Sequence, residues 1–205
     1  MCQLSFYQAF TKRCFDLSFS FILLFFFWWV IAITWLIASI DTSSNGFFLQ
    51  KRIGRYAKSF YVIKIKTMRD THYIKTSVTQ STDKRITPFG KFLRKSKLDE
   101  LPQLWNVLWG DMSFVGPRPD VCGFADSLTG ESRAVLSVRP GITGPASLKY
   151  RNEEITFSEQ DDPELYNLKV IWPDKVRINL EYVCSWSLLG DIKYILRTVF
   201  VSNAR

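Results

Sequence analysis

LSFSFILLFFFWWVIAITWLIASI, Leu17 to Ile40, runs for 24 residues without a charged side chain. As an α-helix it measures roughly 36 Å, enough for a hydrocarbon core of about 30 Å. Helices of soluble cores rarely stay apolar on every face for so long. A cleaved signal peptide would have a shorter apolar part followed by a small-residue cleavage site. The stretch therefore reads as a membrane segment. Lys12 and Arg13 precede it, and Lys51, Arg52, Arg55 and Lys58 follow it, opposed only by Asp41. A simple span would strand one basic flank on the wrong side. A re-entrant or interfacial helix keeps both flanks in the cytoplasm, so charge favours that arrangement.

Outward from this anchor, 205 residues accommodate one domain of ordinary size plus an appendage. Residues 1–45 are read as the membrane-associated helix and its turn, and 46–205 as one compact cytosolic catalytic domain. The formal net charge of +8 is unevenly placed. From Lys51 to Lys97, 14 Lys/Arg face only Asp70 and Asp83, whereas from Leu98 to Arg205 11 Lys/Arg face 15 Asp/Glu. A basic block beside an anchor suits anionic headgroups, at about 1 kcal/mol per cation. A nucleic-acid surface is the weaker explanation for a protein already held at a membrane. Cys2, Cys14, Cys122 and Cys184 are widely spaced and His72 is the single histidine. That pattern argues against a zinc site and a disulfide framework, and for a reducing compartment.

The predicted fold is α+β and mostly helical, with one small β-hairpin. Phe6 to about Ala38 is one long helix, and DTSSNG (Asp41 to Gly46) is a turn. Phe47–Gln50 and Phe60–Lys66 alternate as two short strands around Gly54. Lys66 to Thr87 is polar and reads as a flexible loop. Short helices are expected over Phe89–Lys95 and Leu101–Leu108, partial helix over Asp120–Val138, and a strand over Ser147–Arg151. A helix interrupted at Pro173 spans Pro163–Val183, and a terminal amphipathic helix covers Leu188–Val201.

The chemistry concentrates in RKSKLDELPQLWNVLWGDMSFVGPRPD, Arg94 to Asp120. Asp99 and Glu100 open a helix, roughly 100° apart around its axis, so one can face a reacting centre while the other meets a metal or a proton. On spacing alone the commoner role of two such acids is to complement the helix dipole. Arg118, between two prolines on a stiffened turn, suits bidentate phosphate binding or a surface ion pair. Arg139 and Gly141 in a second Gly/Pro loop carry the same ambiguity. Asp111 and Asp191 are further candidates. Acids that can hold a metal or attack phosphorus, beside arginines that can hold phosphate oxygens, point to phosphoryl chemistry. No P-loop, dinucleotide-binding glycine pattern or G-x-S-x-G elbow is present.

Taken together these blocks resemble the bacterial sugar transferases, the small monotopic polyprenyl-phosphate phosphoglycosyl transferases, over nearly the whole chain. The resemblance rests on Lys12-Arg13-x-x-Asp16-Leu17, Gln50-Lys51-Arg52-Ile53-Gly54 and Tyr61-x-x-Lys64-x-Lys66-Thr67-Met68. It continues in Lys97-Leu98-Asp99-Glu100-Leu101-Pro102-Gln103, Gly110-Asp111-Met112-Ser113 and Val115-Gly116-Pro117-Arg118-Pro119. Arg139-Pro140-Gly141-Ile142-Thr143-Gly144, Tyr150-Arg151-Asn152 and Asp191-Ile192-Lys193 complete it.

The resemblance implies transfer of a sugar phosphate from a UDP-sugar to a membrane polyprenyl phosphate, such as undecaprenyl phosphate, with release of UMP. This step initiates a bacterial glycan such as an exopolysaccharide, a capsule or O-antigen. It implies Asp99 as the attacking group, a covalent phosphosugar intermediate, and Mg²⁺ near Asp99 and Glu100. Arg94 and Arg118 become phosphate ligands, and Arg151 a neighbour of the nucleotide or sugar. It places the enzyme on the cytoplasmic face of the inner membrane. Many members carry a Ser-Pro break midway along the membrane helix, where this chain has Trp28-Trp29. Gly144-Pro145-Ala146-Ser147 lacks the tryptophan and glutamine often found there, and Asn179 sits where an acid is common. A rival reading is a membrane-anchored scaffold of a glycan-assembly complex whose catalytic site has decayed. The intact dyad, Arg118 and Asp111 oppose it.

Overall fold

A computed structural model describes residues 3–69, 85–151, 153–158, 160 and 162–203. The expected loop from Lys66 to Thr87, with His72, lies largely outside the described residues.

Helix α1 runs unbroken from Phe6 to Thr42. Ser5 and Gln8 form a capping box at its start, and Ser43 closes it in the left-handed conformation, with φ 52°. As the single long helix read from the sequence implies, no break occurs at Trp28-Trp29, where many family members carry Ser-Pro. Tryptophan keeps its backbone N–H and adds no ring clash of the kind proline brings, so nothing interrupts the hydrogen-bond ladder. The helix has an inverted polarity. The stripe of Lys12, Asp16, Ser20, Ile31, Thr34, Ala38 and Thr42 is buried against the rest of the chain. Phe21, Phe25, Trp28, Trp29, Leu36 and Ile40 stand on the exposed side. An apolar surface of this extent fits a membrane anchor.

Both halves of α1 pack on the same domain. Near its start Lys12 pairs with Asp191, Arg13 donates to the Val107 and Leu108 carbonyls, and Asp16 accepts from Ser113 and the Phe114 N–H. Further along, Ile31 and Ala38 form a core with Ile65 and Leu93. The helix therefore lies along the domain over most of its length.

The hairpin forms as expected, β1 (Phe47–Ile53) antiparallel to β2 (Ser59–Ile65). Its connection holds Tyr56 and Ala57 at φ 58° and 62°. Helix α2 (Pro88–Ser96) ends at Lys97, also left-handed, followed by a 3₁₀ turn over Leu98–Glu100 and then α3 (Gln103–Trp109). The dyad thus sits in a 3₁₀ turn between two helices, and does not begin a regular helix. Lys97 at φ 60° ends α2 and turns the chain before Pro102 can start α3.

A second sheet was not expected: β3 (Ser113–Val115) pairs in parallel with β4 (Gly141–Thr143). A Cβ at Gly116 would lie 2.5 Å from the Arg139 carbonyl oxygen, and one at Gly141 2.1 Å from the Gly116 nitrogen. Only glycine at both positions lets the two Gly/Pro loops touch. Ser147–Arg151, expected as a strand, is instead mostly within α4 (Pro145–Lys149). Pro145 at the first helical position presets that outcome.

Short helices α5 (Glu153–Ser158) and α6 (Pro163–Tyr166) lead into a π-helical segment, Asn167–Ile171, and α7 (Trp172–Cys184). The wide π turn just before Pro173 replaces the interruption expected there. Helix α8 (Leu188–Asn203) closes the fold. The main core gathers Val62, Leu104, Val107, Phe114, Val138 and Tyr182. Cys14 and Cys122 are free and exposed, while Cys184 is disulfide-bonded. Spacing along the chain could not foresee that pairing.

Candidate active site

Glu100 is the centre of the charged cluster. Lys64 of β2 donates to its Oε1 at 2.9 Å, and Arg118, from the turn after β3, donates to the same oxygen at 3.2 Å. Burial would raise the Glu100 pKa, but Lys64, Arg118 and Lys97 outweigh it and hold the carboxyl well below the usual range. Arg118 is correspondingly held more firmly protonated, chiefly by Glu100. Its side chain is still 49% exposed, so part of the guanidinium is free to meet a ligand.

Asp99 behaves differently. Its side chain is buried, and Oδ1 finds no hydrogen-bond partner among the described residues. Burial first, and the Glu100 charge second, push its pKa up to about 6, against the pull of Lys64, Lys97 and Arg94. Neighbouring acids in one turn therefore take opposite characters. Glu100 is a locked anion, and Asp99 is a carboxyl held by no hydrogen bond at Oδ1.

A cavity of about 510 Å³ adjoins this cluster. Its polar wall includes Lys97, Glu100, Arg118, Asp120, Arg151 and Lys175. Its apolar wall takes Phe19 and Leu23 from α1, Phe114 after them, and Ile195 and Val199 from α8. Asp99 is not part of the lining, but its chain neighbour Glu100 and nearby Lys97 are. Because Oδ1 is unpartnered, its carboxylate can turn toward the cavity without breaking a hydrogen bond there.

The other sequence candidates are dispersed. Arg94 contributes charge to Asp99 but donates to Thr67 Oγ1 at 2.9 Å and to the Met68 sulfur. Arg139 donates to the Gly110 carbonyl at 2.7 Å, tying the second loop to the end of α3. Asp111 is exposed. Asp191 is buried in a network with Lys12, Tyr182 and Trp186, which does not include the dyad. Arg151 lines the cavity, with Nη1 buried and unpartnered among the described residues.

Three residues join the site that local reading passed over. Lys64 was signalled by a lysine inside a strand that buries Val62 and Ile65. Asp120 follows the Pro-Arg-Pro turn directly, and burial pushes its pKa up to about 6 against Lys175, Arg52 and Arg118. Lys175 pairs with Glu153 across the cavity wall. No local pattern marked it.

The carboxylates suit a hard divalent cation. Among the described residues no group of three or more His, Cys, Asp or Glu side chains comes together. Asp99 and Glu100 are the carboxylates that would hold a Mg²⁺ ion, which would supply charge neutralisation.

A family model described as bacterial sugar transferase matches residues 7–205. A UDP-glucose:undecaprenyl-phosphate glucose-1-phosphate transferase of Xanthomonas campestris pv. campestris is 40% identical over 167 residues, 78% of this chain and 32% of that protein. A Bacillus subtilis protein named as an uncharacterized sugar transferase, EpsL, is 34% identical over 188 residues, covering 92% of this chain and 85% of the relative. A UDP-glucose:undecaprenyl-phosphate glucose-1-phosphate transferase of Caulobacter vibrioides is 31% identical over 195 residues, 92% of this chain and 68% of its own length. The chain thus spans about a third of the Xanthomonas relative and most of the Bacillus one.

Proposed function

We propose, because this chain belongs to the bacterial sugar transferase family, that it moves a sugar 1-phosphate from a UDP-sugar onto a polyprenyl phosphate and releases UMP. The observation that carries this reading is the two-sided cavity. One wall presents Lys97 and Arg118 for a diphosphate, and the other is built from the apolar helices α1 and α8, suited to an isoprenoid tail.

In the first step an Asp99 carboxylate oxygen bonds to the sugar-linked phosphorus, and the bond to the UMP oxygen breaks. The second step returns the carboxylate, as a polyprenyl phosphate oxygen attacks the same phosphorus and takes the phosphosugar. Arg118 meets the nonbridging oxygens as charge builds on them. Lys64 holds Glu100 anionic and in place beside Asp99. Mg²⁺ bound at the two carboxylates would neutralise diphosphate charge.

Membrane geometry supports the reading. Both halves of α1 are fastened to one domain, and its exposed face is apolar. The helix then lies at the interface with both ends on the cytoplasmic side of the inner membrane, and the enzyme begins assembly of a lipid-linked glycan there. Cys14 in intact cells, and a cysteine substituted for Ser44, should both resist a membrane-impermeant thiol reagent. Labelling of either from outside would overturn the topology.

A panel of UDP-sugars incubated with polyprenyl phosphate and Mg²⁺ should show UMP release for one or a few donors. No release with any donor would overturn the activity. Arg118→Ala should cut that release by about 10²-fold, the scale of losing one transition-state donor.

A further inference from the structure

We propose that Ser147, Arg151 and Asn179 read hydroxyl groups of the donor, an assignment that rests on the UDP-sugar reading above. Ser147 Oγ, Arg151 Nη1 and Asn179 Oδ1 are each buried without a hydrogen-bond partner among the described residues. All three residues line the same cavity. Asn179 is only 7% exposed. Buried polar groups are paired in the great majority of cases, and a convergence of unpaired ones needs an explanation.

The frame around them is fully engaged. Lys149 and Tyr150 each donate to Asp174 at 2.6 Å, which ties the end of α4 to α7. Lys175 pairs with Glu153 on the same wall. Ser147 on α4, Arg151 just beyond it and Asn179 on α7 are thus held by rigid neighbours while their own polar atoms stay unused. That is how a preorganised recognition site is built.

Their chemistry selects the ligand group. A hydroxyl, a guanidinium N–H and an amide oxygen together offer donors and an acceptor. An isoprenoid tail needs neither, and a phosphate needs only donors. Hydroxyls accept from Arg151, donate to Asn179, and do either with Ser147. They come from the donor's pyranose or from its ribose.

The test uses the whole 205-residue chain in detergent, with the UDP-sugar that gives the greatest UMP release, UDP, and 2′,3′-dideoxyuridine diphosphate. Ser147→Ala and Asn179→Ala should leave the ligand-free melting temperature unchanged or raised, since each removes an unpaired buried group. The same changes should weaken donor binding about tenfold. Arg151→Lys, which keeps the charge and much of the volume, should weaken binding similarly and serves if Asn179→Ala fails to fold. Loss confined to the UDP-sugar assigns the pyranose. Loss for UDP but not for the dideoxy analogue assigns the ribose. Equal loss for all three ligands, or wild-type affinity in every variant, overturns the hydroxyl assignment. A wild-type protein that binds none of them overturns the donor reading itself.

Discussion

Asp99→Asn should yield a folded protein whose UMP release from a UDP-sugar and polyprenyl phosphate is lower by 10³-fold or more, on the order seen when a covalent nucleophile is removed. The expectation rests on Asp99 being one carboxyl of the dyad without a hydrogen bond at Oδ1, whereas Glu100 is committed to Lys64 and Arg118. Wild-type turnover by the variant would remove Asp99 from the attacking role. The same substitution has a second signature, in stability. Burial, then Glu100, raises the Asp99 pKa from 3.8 to about 6.

For a carboxyl raised in the folded state, stability is greatest below the unfolded pKa. It falls as pH climbs through the window from about 4 to about 6, and the cost is complete above that. At pH 7.5, with a chelator present, replacing the carboxylate by a neutral amide should therefore stabilise the fold by up to about 3 kcal/mol. That corresponds to several degrees for a chain of this size. The gain should vanish near pH 4. A variant less stable than wild type at neutral pH would mean that Asp99 supports the fold.

The charged cluster of the candidate site was legible because its residues lie close together in the chain. Lys97 to Glu100 and Gly116 to Pro119 could be read as a carboxylate dyad and an arginine turn, and the structure brings Glu100 and Arg118 into contact. What local reading could not reach was long-range pairing. Strands β3 and β4 have three residues each, so neither offers a usable alternation. Their pairing is visible only in the glycines that permit the approach. Charge alone did not separate chemical from architectural roles. Arg118 and Arg139 sit in similar Gly/Pro loops, yet one reaches a carboxylate at the cavity and the other a backbone carbonyl. The apolar run shows a long apolar helix but not its buried polar stripe, because Lys12, Asp16 and Ser20 acquire meaning only from partners far along the sequence.

Lys12→Ala should be the most destabilising substitution considered, at about 3–5 kcal/mol, because it leaves a buried carboxylate without its counter-ion. Lys12 and Asp191 are 2.6 Å apart at 6% and 1% side-chain exposure. Tyr182 and Trp186 donate to the same carboxylate at 2.8 and 3.0 Å. The pair joins the start of α1 to α8, the two helices that supply the apolar wall of the cavity. Disturbing it should therefore lower activity as well as melting temperature, although neither residue lines the cavity, while the apolar face of α1 keeps the protein at the membrane. The double variant Lys12→Ala with Asp191→Asn removes both charges and retains acceptor and donor atoms for Tyr182 and Trp186. It should recover most of the lost stability, giving a large coupling energy in a double-mutant cycle. Wild-type melting of Lys12→Ala, or additive losses in the double variant, would show that the ion pair does not fasten the helix. The N-terminal half of α1 would then be free to leave the domain, and the case for both helix ends lying on one side of the membrane would lose its stronger support.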